Sequence, residues 1–218
     1  MSEEGLPDSS ALTRGEEEEL VTRLLAMLRQ LVETADYLSP ARRQALAAAL
    51  DTLPSPDAIT LPPDEAPEKR SPAWQTSLGR QAERIGRLAE HLAILLSDKS
   101  GVPIDMTGYL ASEARARVVL SLLEAADDDA LLAYFTERKT HGLLDADTLL
   151  NHAALGSSRV FFAALAAAVD LAVDIEMVAA FIEDGGITIL ERLLLRTEIS
   201  ETAREAIMQA YRSACGEP

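Results

Sequence analysis

The sequence predicts an all-α protein, built as an array of short antiparallel helices or an irregular bundle that follows an N-terminal helical hairpin. Hydrophobic residues make up 48% of the chain and aromatic residues only 4%, so Ala and Leu, which favour helices, dominate the apolar part. The residue alternation typical of strands is missing. Residues 160–173 are apolar except for Asp170, which indicates a helix surrounded by other helices.

The first part of the chain predicts a tail and then a hairpin. Residues 1–15 are polar and acidic, which predicts a disordered tail. Leucines spaced three and four apart after an acidic turn predict a helix over roughly 16–38. Ser39, as N-cap, and Pro40, at the first helical position, begin a second helix. The predicted hairpin covers 16–53 and must dock on the rest of the chain or on a second copy.

A proline-rich segment follows the hairpin. Residues 54–72 contain six prolines among 19 residues, which excludes a regular helix and predicts an extended linker. A ligand for a proline-recognising domain is the alternative. The linker interpretation is favoured because no PxxP flanked by basic residues occurs.

The remaining residues, 73–214, predict a helical core domain. A long helix over about 73–97 carries an apolar stripe and ends at Gly101. We expect residues 102–111 to be a loop or a short turn of helix, because they contain Pro103 and Gly108. Capping residues then predict seven short helices near 112–125, 128–138, 145–154, 158–171, 174–183, 187–195 and 200–213. The residues expected at helix N-termini are the aspartates at 127–129, Asp145 or Asp147, Asp174 and Ser200.

The last third of the chain has a recognisable layout of turns and apolar helices. Its features are a leucine-rich helix, a turn at Gly156, the Phe161-Phe162 pair and the string around Phe181 and Gly185. In this layout residues 143–213 resemble the alphaproteobacterial domain of unknown function 2336, whose longer members look like divergent HEAT-type helical repeats. The resemblance implies a HEAT-like array and a bacterial lineage, and it implies no activity.

Charge and composition limit the classes of partner and the compartment. The formal net charge is −16, which disfavours nucleic acids and anionic membrane surfaces and suits solubility or a basic partner. The N-terminus lacks the basic and apolar regions of a signal peptide, and no apolar run reaches membrane-spanning length. A single cysteine, Cys215, excludes an intramolecular disulfide. We therefore expect a soluble cytoplasmic protein.

Sequence motifs for catalysis are missing. The chain has no GxSxG, P-loop, GxGxxG, HExxH or paired Cys, so it is predicted not to be an enzyme and to need no cofactor. The run Asp127-Asp128-Asp129 could attract a divalent cation, but carboxylates at a helix start are more often capping residues. Cys215 lacks a neighbouring base and is not predicted to be a nucleophile.

His152 is the one candidate for chemistry. The segment from His152 through Leu155 to Ser158 looks like a phosphotransfer-domain pattern, in which an exposed histidine is followed by Lys-Gly-Ser-Ser. Here Leu155 replaces that lysine. An ordinary histidine at a helix end is the favoured interpretation, and His152 as phospho-acceptor is the alternative.

The long helix carries a basic stripe of Arg80, Arg84 and Arg87. The stripe could meet an acidic partner or the acidic N-terminal segment of the chain itself. A solvated face with intrahelical Glu–Arg pairs is the favoured interpretation.

Together these observations predict a non-catalytic helical protein–protein interaction or regulatory module of the bacterial cytoplasm. The alternative is a histidine phosphotransfer-type signalling protein that uses His152. We expect a protein partner, with a homodimer through the 16–53 hairpin as one option, and neither nucleic acid nor membrane.

Overall fold

The computed structural model describes residues 13–59, 74–154, 158–171 and 175–214, with only the backbone given for Ser158, Glu183 and Asp184. Every regular element within these ranges is helical, which confirms the predicted all-α class. Contacts divide the chain into two compact units. Unit 1 comprises Met1–Gln75 and Arg80–Ser121, and unit 2 comprises Thr76–Gly79 and Leu122–Pro218.

Unit 1 begins with the predicted hairpin. A capping box starts its first helix: the Thr13 hydroxyl accepts a hydrogen bond from the Glu16 backbone N–H at 3.3 Å, and the Glu16 carboxylate accepts one from the Thr13 N–H at 2.7 Å. Ser39 caps the second helix with Pro40 in its first turn, as predicted. The helices of the hairpin are α1 (Arg14–Thr34) and α2 (Pro40–Asp51), and α3 (Ser77–Ser100) and α4 (Ile104–Ala125) follow.

The apolar face of the hairpin is buried within a single chain. The leucines of its two helices are between 0 and 4% exposed, and α1 packs on α2 and on a short 3₁₀ turn, Pro56–Ala58. A second copy is therefore not needed to cover this face. The buried residues are Leu20, Val21, Leu24, Leu25, Leu28, Leu31 and Val32 of α1 and Leu46, Ala49 and Leu50 of α2.

The predicted tail and linker fall largely outside the described residues, which omit 1–12 and 60–73. In the described part, Thr13 caps α1, and the helix starts at Arg14 within the predicted tail. The 3₁₀ turn Pro56–Ala58 corrects the expectation of an extended chain there. Proline is compatible with the first position of a helical turn, where its missing N–H would have no partner.

The predicted loop or short turn of helix over 102–111 is wrong, because the 22-residue helix α4 begins at Ile104. The Pro103 carbonyl accepts hydrogen bonds from the Met106 N–H at 3.0 Å and the Thr107 N–H at 3.2 Å, so this proline precedes the helix and does not break it. Gly108 lies inside α4, where a glycine costs only about 1 kcal/mol relative to alanine.

Unit 2 is built around the apolar stretch. Asp127 accepts a hydrogen bond from the Ala130 N–H at 2.7 Å, Asp145 from the Thr148 N–H at 2.8 Å and Ser200 from the Ala203 N–H at 3.2 Å, which confirms these predicted caps. The helices are α5 (Asp128–Thr140), α6 (Ala146–Ala154), α7 (Ser158–Ala168), α8 (Ile175–Leu194) and α9 (Glu201–Ala214).

Helix α7 is the buried centre of unit 2, as predicted. Residues 160–167 are at most 5% exposed, and α5, α6 and α8 all pack on α7. The helix ends at Ala168, and Asp170 adopts a left-handed conformation with φ 52°. Its carboxylate is 84% exposed and lies 2.7 Å from the Lys139 ammonium, which also donates to the Ala168 carbonyl. Asp170 thus stays outside the core.

The predicted break at Gly185-Gly186 occurs within one assigned helix. Helix α8 covers both predicted helices, 174–183 and 187–195, and leaves helical geometry at Gly186, where φ is 60° and ψ is −158°. Such a positive φ favours glycine. A Cβ atom on Gly185 would lie 2.0 Å from Ile189 Cγ1, so the absence of a side chain at Gly185 lets the Ile189 side chain pack close to the backbone.

The contact division places α3 and α4 differently from the predicted domains. The sequence kept 73–214 together and separated the 16–53 hairpin. In the structure most of α3 and α4 belong with the hairpin, and the chain passes into unit 2 after Ser121.

Candidate interaction surface

His152 lies on α6 in a partly buried aromatic setting. Its ring meets Phe135 edge-on, with centroids 5.4 Å apart at 85°. Nδ1 is buried and has no hydrogen-bond partner among the described residues. Burial, and then the positive charge of Arg138, lower the pKa of His152 to about 4. The imidazole is therefore neutral at pH 7, and this environment does not support the exposed phospho-acceptor that the alternative needs.

Two of the three consecutive aspartates, Asp127 and Asp128, take structural roles. Asp127 caps α5, and Asp128 forms an ion pair with Arg159 of α7. Arg159 also donates to the Ala126 carbonyl at 2.7 Å, which ties α7 to the start of α5. Among the described residues no group of three or more His, Cys, Asp or Glu side chains could hold a metal ion. Cys215 lies outside them.

The basic stripe of α3 meets the acidic start of α1. Arg84 Nη2 lies 2.5 Å from Glu17 Oε1. Hydrogen bonds with Thr13 lower the pKa of Glu16, with a smaller contribution from Arg80. For Arg84 the favoured interpretation of a solvated face is wrong, and the alternative, pairing with the N-terminal segment of the same chain, is correct.

Two exposed tyrosines meet on the surface of unit 1, and we call them the tyrosine pair. Tyr37 lies in the turn between α1 and α2, and Tyr109 lies on α4. They are 52% and 60% exposed. Their rings are nearly perpendicular, at 87°, with centroids 5.6 Å apart, the edge-to-face geometry that aromatic pairs prefer.

Acidic side chains accompany the tyrosine pair. Asp105, Tyr109 and Glu113 are spaced four apart on α4 and therefore share one face, while the exposed Asp36 precedes Tyr37 in the chain. Burial raises the pKa of Tyr37 first, and Glu113 and Tyr109 raise it further. The hydroxyl is thus neutral at pH 7, and its electrostatic surroundings are negative.

Sequence reasoning missed the tyrosine pair because its members are distant in the chain and neither lies in a motif. A partial signal was present in α4. The buried positions of that helix include Leu110, Ala114 and Val118, and Tyr109 falls outside this stripe. Nothing in the sequence indicated that Tyr37 would meet it.

Unit 2 also exposes apolar side chains. On α8, Met177 is 43% and Phe181 is 50% exposed, and their four-residue spacing places them on one face. Leu195 follows at the end of α8 and is 57% exposed.

Comparison with protein-family models, with curated proteins and with solved structures finds no match for this chain. The resemblance of residues 143–213 to domain of unknown function 2336 therefore remains a prediction from sequence layout. Among the described helices, none combines the length and apolar character needed to span a membrane.

Proposed function

We propose that this protein is a non-catalytic helical protein–protein interaction or regulatory module of the bacterial cytoplasm. The observation that carries the proposal is the tyrosine pair, two aromatic side chains in contact and each more than half exposed. Tyrosine is enriched at protein interfaces, because its ring supplies a large contact area at a low cost in conformational entropy. Tyr37 and Tyr109 would contact the partner.

Further exposed apolar residues on unit 1 support a recognition role. Ile94 on α3 and Ile104 at the start of α4 are 52% and 53% exposed. Both lie outside the buried stripes of their helices. We also propose that residues 143–213 belong to the HEAT-like family they resemble, whose helical arrays typically offer recognition faces.

Photo-crosslinking tests this function. A benzoylphenylalanine residue in place of Tyr109 in the full chain, irradiated in a lysate of the native bacterium, should give cross-linked products of defined mass. The matched control carries the same residue in place of Glu205, which is exposed on α9. A product of twice the mass of the chain would identify a second copy as the partner. The same products, in equal yield, at both positions would contradict a surface at Tyr109.

A further inference from the structure

We propose that the tyrosine pair binds a cationic side chain, arginine or lysine, presented by a basic segment of a partner protein. This inference rests on the proposed function and adds the chemistry of the partner. It is carried by the shape of the aromatic surface and by the charges beside it.

The two rings form a right-angled corner. Because they are 87° apart with centroids separated by 5.6 Å, a group placed in the corner faces one wall from Tyr37 and one from Tyr109. Cations bind over aromatic faces within about 6 Å of the ring centroid, and sites with several such walls are typical of ammonium recognition. At this separation, a single cationic group in the corner could contact both rings.

The charges beside the corner favour a cation. Asp105 and Glu113 lie one helical turn before and after Tyr109, and Asp36 adjoins Tyr37. A carboxylate near an aromatic face can accept charge-assisted hydrogen bonds from the same cation. The whole chain carries a net charge of −16, which would attract a basic segment from a distance and repel an acidic one.

Glu113 already has one basic neighbour. Arg117 Nη2 lies 2.6 Å from Glu113 Oε1 on the same helix, and the two side chains are 45% and 29% exposed. Solvent-exposed ion pairs of this kind contribute little stability, so the pair does not prevent the carboxylate from accepting a second cation. A purely apolar partner would gain nothing from these acids, and an anionic partner would be repelled.

A fluorescence titration with defined peptides tests the inference on the full chain. The probe is a short labelled peptide of Gly, Ser and Arg, and its control replaces each Arg by citrulline, which keeps the shape and removes the charge. We expect the arginine peptide to bind and the citrulline peptide to bind at least about tenfold more weakly. Equal binding of the two peptides would overturn the inference.

Paired variants then locate the binding. Tyr37→Leu with Tyr109→Leu keeps apolar area but removes both aromatic faces, and should weaken binding about tenfold. Tyr37→Phe with Tyr109→Phe keeps the faces and should bind within about twofold of the unmodified chain. If the leucine variant, with an unchanged circular dichroism spectrum, binds as well as the phenylalanine variant, the corner is not the site.

A charge-matched control separates local recognition from diffuse attraction. Asp105→Asn with Glu113→Gln removes two charges beside the corner, and Glu201→Gln with Glu205→Gln removes two from exposed positions on α9. We expect only the first variant to weaken binding by more than about threefold at physiological salt. Equal losses would overturn the inference. Cross-links from position 109 to a segment without basic residues would also overturn it, yet leave the proposed function standing.

Discussion

The two units differ in where most of their aromatic residues lie, although Phe181 on α8 of unit 2 is also 50% exposed. In unit 2, Tyr134, Phe135, Phe161 and Phe162 are between 0 and 4% exposed and fill the core around α7. In unit 1 the tyrosine pair lies on the surface, and the buried positions of α1 to α4 hold aliphatic side chains such as Leu24, Leu28, Leu88, Leu92 and Leu96.

The difference follows from the helices that each unit packs. From Val160 to Ala167, helix α7 is buried on all sides, and four of these eight residues are alanines. The small alanine side chains leave space that the rings of Phe161 and Phe162 on α7, and of Tyr134 and Phe135 on α5, fill. Three of the four helices of unit 1, α1, α3 and α4, are 21 to 24 residues long. Leucines account for most of the buried hydrophobic residues of the unit 1 helices. An aromatic side chain that the core does not use is a candidate for binding. Three experiments test this comparison.

The largest effect is expected from Phe161→Ala in α7. Phe161 is fully buried and its ring lies 5.6 Å from that of Tyr211, so truncation leaves a cavity that should cost about 3–5 kcal/mol in the free energy of unfolding. Urea denaturation followed by circular dichroism measures the loss. A loss below about 1 kcal/mol would contradict the core role of this ring.

A second effect is expected from His152 at acid pH. The pKa of His152 in the folded chain is about 4, below the ordinary value of 6.5. Above pH 6.5 the neutral imidazole therefore makes its full contribution to the free energy of unfolding. As the pH falls from 6.5 to 4 the unfolded chain takes up a proton and the folded chain does not, and stability should drop by about 3 kcal/mol in total. Urea midpoints measured across this range test the effect.

The control for the pH experiment is His152→Leu, which cannot titrate. Asp145, whose pKa is lowered by hydrogen bonds with Thr148, loses its contribution at low pH in both proteins, so the difference between them isolates His152. If the free energy of unfolding changes with pH in the same way in the two proteins, the folded environment of His152 does not disfavour its charged form.

The smallest effect is expected from the tyrosine pair. Tyr37→Ala and Tyr109→Ala remove side chains that are more than half exposed, so each should change the free energy of unfolding by no more than about 1 kcal/mol. The same urea assay applies, with Phe161→Ala as the reference. Losses near those of Phe161→Ala would make the pair part of the core and remove the contrast between the units.

Much of the fold followed from local chemistry that the sequence displays. Ser39, Asp127, Asp145 and Ser200 cap helices as predicted, because an N-cap depends on the few residues beside it. Gly101, with φ 68°, ends α3 for the same local reason. The start of α4 is not predicted, because Pro103 and Gly108 both favour a break in a helix.

The candidate surface and the grouping into units could not be predicted in this way. The contact of Tyr37 with Tyr109 and the ion pair of Glu17 with Arg84 join residues far apart in the chain. Neither contact leaves a periodic signal, because each depends on how α1 and α2 dock. The burial of His152 against Phe135 likewise depends on tertiary packing that the sequence does not display.

The two rings of the corner come from different parts of unit 1, and this makes partner binding depend on how the parts dock. Tyr37 belongs to the hairpin and Tyr109 to α4, so the corner exists only while the hairpin is docked. Because residues 60–73 connect the two parts covalently, the hairpin acts as an intramolecular ligand at a high effective concentration. A competitor that displaced the hairpin would separate the two rings without contacting either of them. The apparent affinity for a partner would then depend on the fraction of chains in which the hairpin is docked.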